Sequence, residues 1–222
     1  DEIYAHKRSS QRVLNQLLLK EFERLKIKFE QATWDSSKQK EGKPVKRPLT
    51  VPDLEVLRPF HWGYEFDEVL QRGGFDAIVT NPPWEIFKPQ AKEFFTEFSE
   101  VVTKNKMTIK AFEKEQGPLL SKAEIRDAWL AYQSRFPFVS QYVRSSPQYV
   151  HQSAVVNGKK TGTDVNLYKL FIEQGVNLLR EGGQCGIVVP SGIYTDLGAT
   201  GLRGLLFAQT QVTGLFGFEN RK

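Results

Sequence analysis

Cysteine is almost missing. Cys185 is the single thiol in 222 residues, so no internal disulfide can form, which suits a reducing compartment. Cys185 adjoins the apolar run Gly186-Ile187-Val188-Val189 and is expected to be a core thiol. Long hydrophobic runs are missing too. Nothing approaches the roughly 20 apolar residues that span a bilayer. The polar opening Asp1-Glu2 lacks the charged-then-apolar layout of a secretory signal. Membrane and secreted classes are set aside, and the expected location is the cytoplasm. Neither an acidic metal-binding cluster nor an internal repeat is evident, and no metal is expected. What is present is a 40% hydrophobic content, enough to bury a sizeable core in one domain or one domain with a long insertion. The net charge of +5 and pI near 9.2 fit a partner that is a polyanion, as supporting evidence only.

Along residues 4–29, Val13, Leu17, Leu18, Phe22, Leu25 and Phe29 recur at three- and four-residue spacing, which predicts one long amphipathic helix. Residues 36–52 carry Lys38, Lys40, Lys43, Lys46 and Arg47 among Gly42, Pro44 and Pro48, and read as a solvated basic loop. Together they form an N-terminal region, residues 1–59. Phe75-Asp76-Ala77-Ile78-Val79-Thr80 follows Gly73-Gly74 and stops at Asn81-Pro82-Pro83, the pattern of a buried parallel strand. Residues from about 88 to 160 read as a mostly helical insertion, with helices at 92–102 and 122–136, interrupted at Pro137, Pro147 and residues 158–162.

Asp164 is expected to cap a helix burying Tyr168, Phe171, Ile172, Val176 and Leu179, with Gly182-Gly183 as its left-handed stop. A strand at 185–189, a turn at Pro190-Ser191-Gly192, a helix at 197–206 with Leu202, Leu205 and Leu206 inward, and a strand at 212–218 complete the pattern. Strands separated by helices imply an α/β fold with a mostly parallel sheet.

Ligands of open α/β sheets sit beyond the carboxyl ends of the strands, where Asn81-Pro82-Pro83-Trp84 falls. Two prolines fix their φ angles and lack N–H groups, so the loop is rigid and Pro82 offers a carbonyl without a competing donor. That carbonyl and the Asn81 side-chain oxygen form two acceptors for one exocyclic amine. Such a pair holds the amine pyramidal and exposes its lone pair. Trp84 adds a flat face for a planar base, a contact worth roughly 1–3 kcal/mol in nucleic-acid complexes.

Asn81, Pro82, Pro83 and Trp84 resemble the catalytic motif of amino-methyltransferases. The order of the other blocks resembles the γ arrangement of N6-adenine DNA methyltransferases from restriction-modification systems, including type II enzymes fused to endonucleases. Phe60-His61-Trp62 with Glu65-Phe66 resembles the acidic-aromatic block before the catalytic strand, and Glu65 precedes Asn81 by sixteen positions. The segment from Asn166 to Glu173 resembles the helix whose aromatic, here Phe171, covers the cofactor's adenine. The resemblance implies a partial Rossmann-like methyltransferase domain over residues 60–222 and S-adenosyl-L-methionine as cofactor. It makes Glu65, Phe66 and Phe171 cofactor contacts, and a flipped adenine in duplex DNA the substrate.

The family's glycine-rich cofactor loop and second acidic residue have no counterpart before Glu65, since Gly42 is the only glycine among the first 50 residues. A fragment of a larger enzyme is therefore expected, without the family's target-recognition domain. It would need the remaining domains of its parent polypeptide as partners and have little activity alone. Methylation of a protein glutamine or an RNA adenine stays open as an alternative, as does a non-catalytic nucleic-acid-binding module.

Overall fold

A computed structural model describes residues 2–100, 102, 107–152, 155, 156, 159, 160 and 164–219. The chain opens with α1 (Glu2–Arg24), β1 (Phe29–Gln31), β2 (Trp34–Asp35), β3 (Lys40–Glu41), β4 (Val45–Arg47) and α2 (Val51–Glu55). Then come α3 (Trp62–Glu65), α4 (Asp67–Gln71), β5 (Phe75–Thr80), α5 (Ala91–Thr96), α6 (Ile109–Ser121), α7 (Ala123–Gln133) and α8 (Phe136–Ser145). The last are β6 (Val155–Val156), β7 (Lys159–Lys160), α9 (Leu167–Leu178), β8 (Leu179–Ile187), α10 (Gly192–Thr195) and α11 (Thr200–Gln209). They divide into two compact units, residues 1–59 with 88–142, and residues 60–87 with 143–222.

In the first unit, the expected helix over 4–29 stops at Arg24. Lys26 adopts φ 58°, Lys26 N–H donates to Glu23, and Ile27 N–H donates to Phe22 at 3.0 Å. This is a Schellman stop in which a lysine occupies the position glycine usually takes. Phe29 is thereby released into β1, while Val13 and Leu17, expected on the buried stripe, are exposed. Phe22, Ile27, Leu49, Leu54 and Phe138 form one core cluster, with Tyr142 stacked 4.7 Å from Phe22. Residues 36–52 are not one loop, because β1 pairs with β4 and β2 with β3, both antiparallel. Asp35 builds the turn by accepting from Ser37 N–H at 3.0 Å and Lys38 N–H at 3.2 Å, and Gln39 takes φ 49°. Strands of two or three residues are too short to show alternation in sequence.

The insertion holds α5 at Ala91–Thr96, shorter than the helix expected at 92–102. The helix expected at 122–136 is α7, which ends at Gln133, and Phe136 already opens α8. Pro137 lies in the first turn of α8, where its missing N–H costs nothing, so it opens a helix rather than breaking one. Phe95, Phe112, Leu119, Leu120 and Trp129 form a second cluster. The break expected at 158–162 lies largely outside the described residues.

Asp53 shows how this unit responds to acid. Its carboxylate accepts from Thr50 N–H at 2.8 Å at the start of α2 and from Arg47 at 2.7 and 2.8 Å. Burial pushes its pKa up, but the Arg47 and Thr50 hydrogen bonds outweigh that and hold it below the ordinary carboxylate value. A depressed folded-state pKa contributes stability above the unfolded-state value, and that stability is lost as pH falls through the folded-state value. Asp53→Asn is expected to cost about 1 kcal/mol at neutral pH. The gap between variant and parent should close as pH falls below about 4. Urea unfolding at both pH values checks this, and a gap that is the same at both would refute it.

In the second unit β5 and β8 pair in parallel, so the fold is mixed α/β. The other described strand pairs are antiparallel, whereas a mostly parallel sheet was expected. β5 is parallel but not buried: Val79 is 88% exposed, because β8 is its single neighbour among the described residues. Tyr168 and Ile172 of α9 pack with Leu202 and Leu205 of α11, and Ile187 and Val189 lie against them. Phe171 points away from this cluster and is exposed, Val176 is half-buried, and Leu179 already belongs to β8.

Gly182-Gly183 does not stop α9, which ends at Leu178. It lies inside β8, at a bulge where Phe75 pairs with Leu179 and Ala77 with Gln184. Gly182 there has φ 72°. Gly74, with φ 125°, has the Leu178 carbonyl and Arg180 N against it, leaving no room for a Cβ. Cys185 is exposed on the same strand rather than in a core, although partial burial of the thiol pushes its pKa up. The helix expected at 197–206 is a 3₁₀ turn (Leu197–Ala199) followed by α11. The strand expected at 212–218 does not form, and Leu215, Phe216 and Phe218 are exposed, because no described strand pairs with it.

Candidate active-site loop

Residues 81–84 leave the carboxyl end of β5, and their anchoring comes from two directions. On one side Val188 N–H donates to the Thr80 carbonyl at 3.1 Å, carrying the parallel pairing one step past β8. The Val188 carbonyl in turn accepts from the Trp84 indole N–H at 3.3 Å. On the other side Phe87 N–H donates to Val165 at 2.7 Å and Leu167 N–H donates to Glu85 at 3.0 Å, with Ile86 bridging Asn166. That bridge keeps residues 164–166 extended, so α9 starts after Asn166. Asp164 is therefore not its cap, and stays exposed.

Within this frame Pro82 is buried while Asn81, Pro83 and Trp84 are exposed. The Asn81 amide has no hydrogen bond among the described residues, and Trp84 is 49% exposed with its N–H already satisfied. The loop thus couples a fixed backbone to an open amide and an open aromatic face.

Other sequence-derived site residues lie elsewhere in the unit. Phe66 packs 5.1 Å from Phe75 and stacks 5.7 Å from Trp62, with Phe60 6.1 Å away. Phe75 is the first residue of β5 and Asn81 follows the last, a span of about 20 Å along an extended strand. Glu65 ends α3 beside Phe66, and its charge raises the pKa of His61 against the larger lowering caused by burial. Phe171 sits on α9, one turn after Leu167, and is 44% exposed. The loop and α9 are thus joined directly, whereas Phe66 packs at the amino end of β5, with Glu65 next to it in the chain.

A buried polar group escaped the sequence reading. Glu173 on α9, 1% exposed, accepts from His151 N–H at 3.0 Å, His151 Nδ1 at 2.8 Å and Gln152 Nε2 at 2.6 Å. Gln152 also donates to the Lys169 carbonyl at 3.1 Å. Lys169 is buried as well, and burial pushes its pKa down, opposed by Asp196. Burial likewise pushes the Tyr168 hydroxyl up, and that hydroxyl has no partner among the described residues. The signal was available: Lys169 and Glu173 lie four apart on a helix face next to the buried Tyr168 and Ile172.

Among the described residues no His, Cys, Asp and Glu grouping could hold a metal ion, and no helix is long and apolar enough to cross a membrane. A model of the Eco57I restriction-modification methylase family matches residues 6–121 and 137–222. A protein of Methanocaldococcus jannaschii named "Putative type II restriction enzyme and methyltransferase" is 39% identical over 61 residues. That match covers 26% of this chain and 5% of the relative's length. No solved structure matches the chain.

Proposed function

The chain belongs to the Eco57I restriction-modification methylase family, and from that premise we propose that it carries the amine-binding part of a DNA methyltransferase acting on adenine N6 in duplex DNA. The observation that carries the reading is the exposed, unpaired amide of Asn81 on a loop anchored on both sides. A flipped adenine would stack on Trp84 and donate its two N6 protons to the Asn81 side-chain oxygen and the Pro82 carbonyl. Both acceptors hold the nitrogen lone pair clear for in-line attack, so these residues contribute chiefly through positioning. Pro83 keeps the loop from relaxing.

S-adenosyl-L-methionine, when bound, supplies an electrophilic methyl group. Of the residues proposed to hold its adenine, Phe171 fits best, because its ring is open to a planar purine on the helix tied to the loop through Glu85. Glu65 and Phe66 enter the proposal through sequence resemblance, and the Phe66 ring is already engaged by Phe60, Trp62 and Phe75.

The test is transfer from labelled S-adenosyl-L-methionine to mixed-sequence duplex DNA, followed by nucleoside analysis, using the longest obtainable protein that carries this chain. N6-methyladenine is the expected product. A folded, cofactor-binding preparation that labels no nucleoside would turn the reading toward a protein glutamine amide.

A further inference from the structure

We propose that the paired strands of residues 26–47 form a contact surface for the phosphates of duplex DNA, a proposal that rests on the DNA-methyltransferase reading. The first ground is where the charge lies. Residues 26–47 contain seven cations (Lys26, Lys28, Lys38, Lys40, Lys43, Lys46 and Arg47) and three carboxylates, a local net of +4 in a chain of +5.

The second ground is that the carboxylates are already engaged. Glu30 pairs with Lys46 at 2.9 Å, Asp35 with Lys38 at 3.4 Å, and Glu41 accepts from Trp129 at 2.9 Å and Gln133 at 2.8 Å. Arg47 is held by Asp53. Lys26, Lys28, Lys40 and Lys43 remain exposed, with no acidic partner among the described residues.

Register gives the third ground. Trp34 pairs with Glu41, and this pair faces α7, where Trp129 binds Glu41 and Arg126 lies over the Trp34 ring. Asp35 pairs with Lys40, so alternation turns Lys40 to the opposite, open face. Thr33 Oγ1 donates to the Lys43 carbonyl at 3.0 Å, and Gly42 N–H donates to the Thr33 carbonyl at 2.8 Å, which fixes the backbone from which Lys43 extends. An anchored backbone with unpaired lysines on its open side suits a polyanion of regular spacing. Contacts to phosphate hold the protein on the duplex and carry no sequence information.

Lys40→Gln with Lys43→Gln tests this, measured by fluorescence anisotropy of the chain with a mixed-sequence duplex across a salt series. Each lost phosphate contact flattens the log–log salt dependence by about 0.9, so the double variant should bind more weakly with a slope shallower by about 1.8. The loss should be alike for any duplex sequence. Lys110→Gln with Lys114→Gln removes the same charge from exposed positions on α6 and should keep the parent slope. Four outcomes overturn the proposal: no binding by the parent chain, a parent-like slope in the first pair, equal losses in both pairs, or tighter lysine-dependent binding of duplex RNA. Methyl transfer at saturating DNA, measured with the same substitutions in the longest obtainable protein that carries this chain, separates failure of this surface from failure of the catalytic reading.

Discussion

Asn81→Ala is expected to lower methyl transfer by on the order of 100-fold or more while leaving DNA affinity within about twofold, since removing one pre-aimed partner of a reacting group typically costs that much. The asymmetry follows from the site. Asn81 is exposed and has no hydrogen bond among the described residues, so its loss leaves no buried group stranded and the fold should hold. The Pro82 carbonyl alone would restrain one amine proton and leave the nitrogen free to flatten, which withdraws the lone pair into the ring. Single-turnover transfer measured beside duplex binding decides the matter. Turnover near the parent value would remove Asn81 from the reaction, and a parallel collapse of binding would make it a substrate anchor instead.

Glu173→Ala is expected to destabilise the second unit by about 3 kcal/mol, the scale for taking a buried acceptor away from several hydrogen-bond donors. Three donors lose their acceptor at once: the His151 backbone N–H, His151 Nδ1 and Gln152 Nε2. A buried donor left short of its acceptor costs about 1–3 kcal/mol, which applies most fully to buried Gln152, left with the Lys169 carbonyl alone, and less to the part-buried His151; nearby space is closed by the 2.9 Å approach that a Cβ on Gly201 would make to the His151 carbonyl. Glu173→Gln keeps one acceptor oxygen and should cost less. Thermal unfolding ranks the variants, and amide exchange at His151 localises the effect. An alanine variant as stable as its parent would show the network to be ornamental.

The parts legible in sequence were those set by regular spacing or by residues with one conformational role. Phe75-Asp76-Ala77-Ile78-Val79-Thr80 forms a parallel strand next to the glycine-containing strand that ends at Ile187, and Leu202 and Leu205 are buried as their spacing on a helix requires. The two prolines end the strand where the turn chemistry says they should. What stayed hidden depended on partners distant in sequence. Lys26 ends α1 in a left-handed conformation that local preference assigns to glycine, and Phe22 and Ile27 close around it. Residues 212–218 have strand composition, but a strand exists only against a neighbour. Cys185 sits in an apolar run, yet a two-stranded sheet has two faces, and the run cannot say which is covered.

The indole of Trp84 has a consequence for how tightly any flat ligand can be held. Its N–H is committed to the Val188 carbonyl, so the ring is locked in orientation while 49% of the residue stays open. Freezing a rotamer-rich side chain on association costs about 0.5–1.5 kcal/mol, a loss this residue has already incurred on folding. A planar ring arriving there meets a surface at rest, and the stacking energy goes into residence time instead of into stilling the protein.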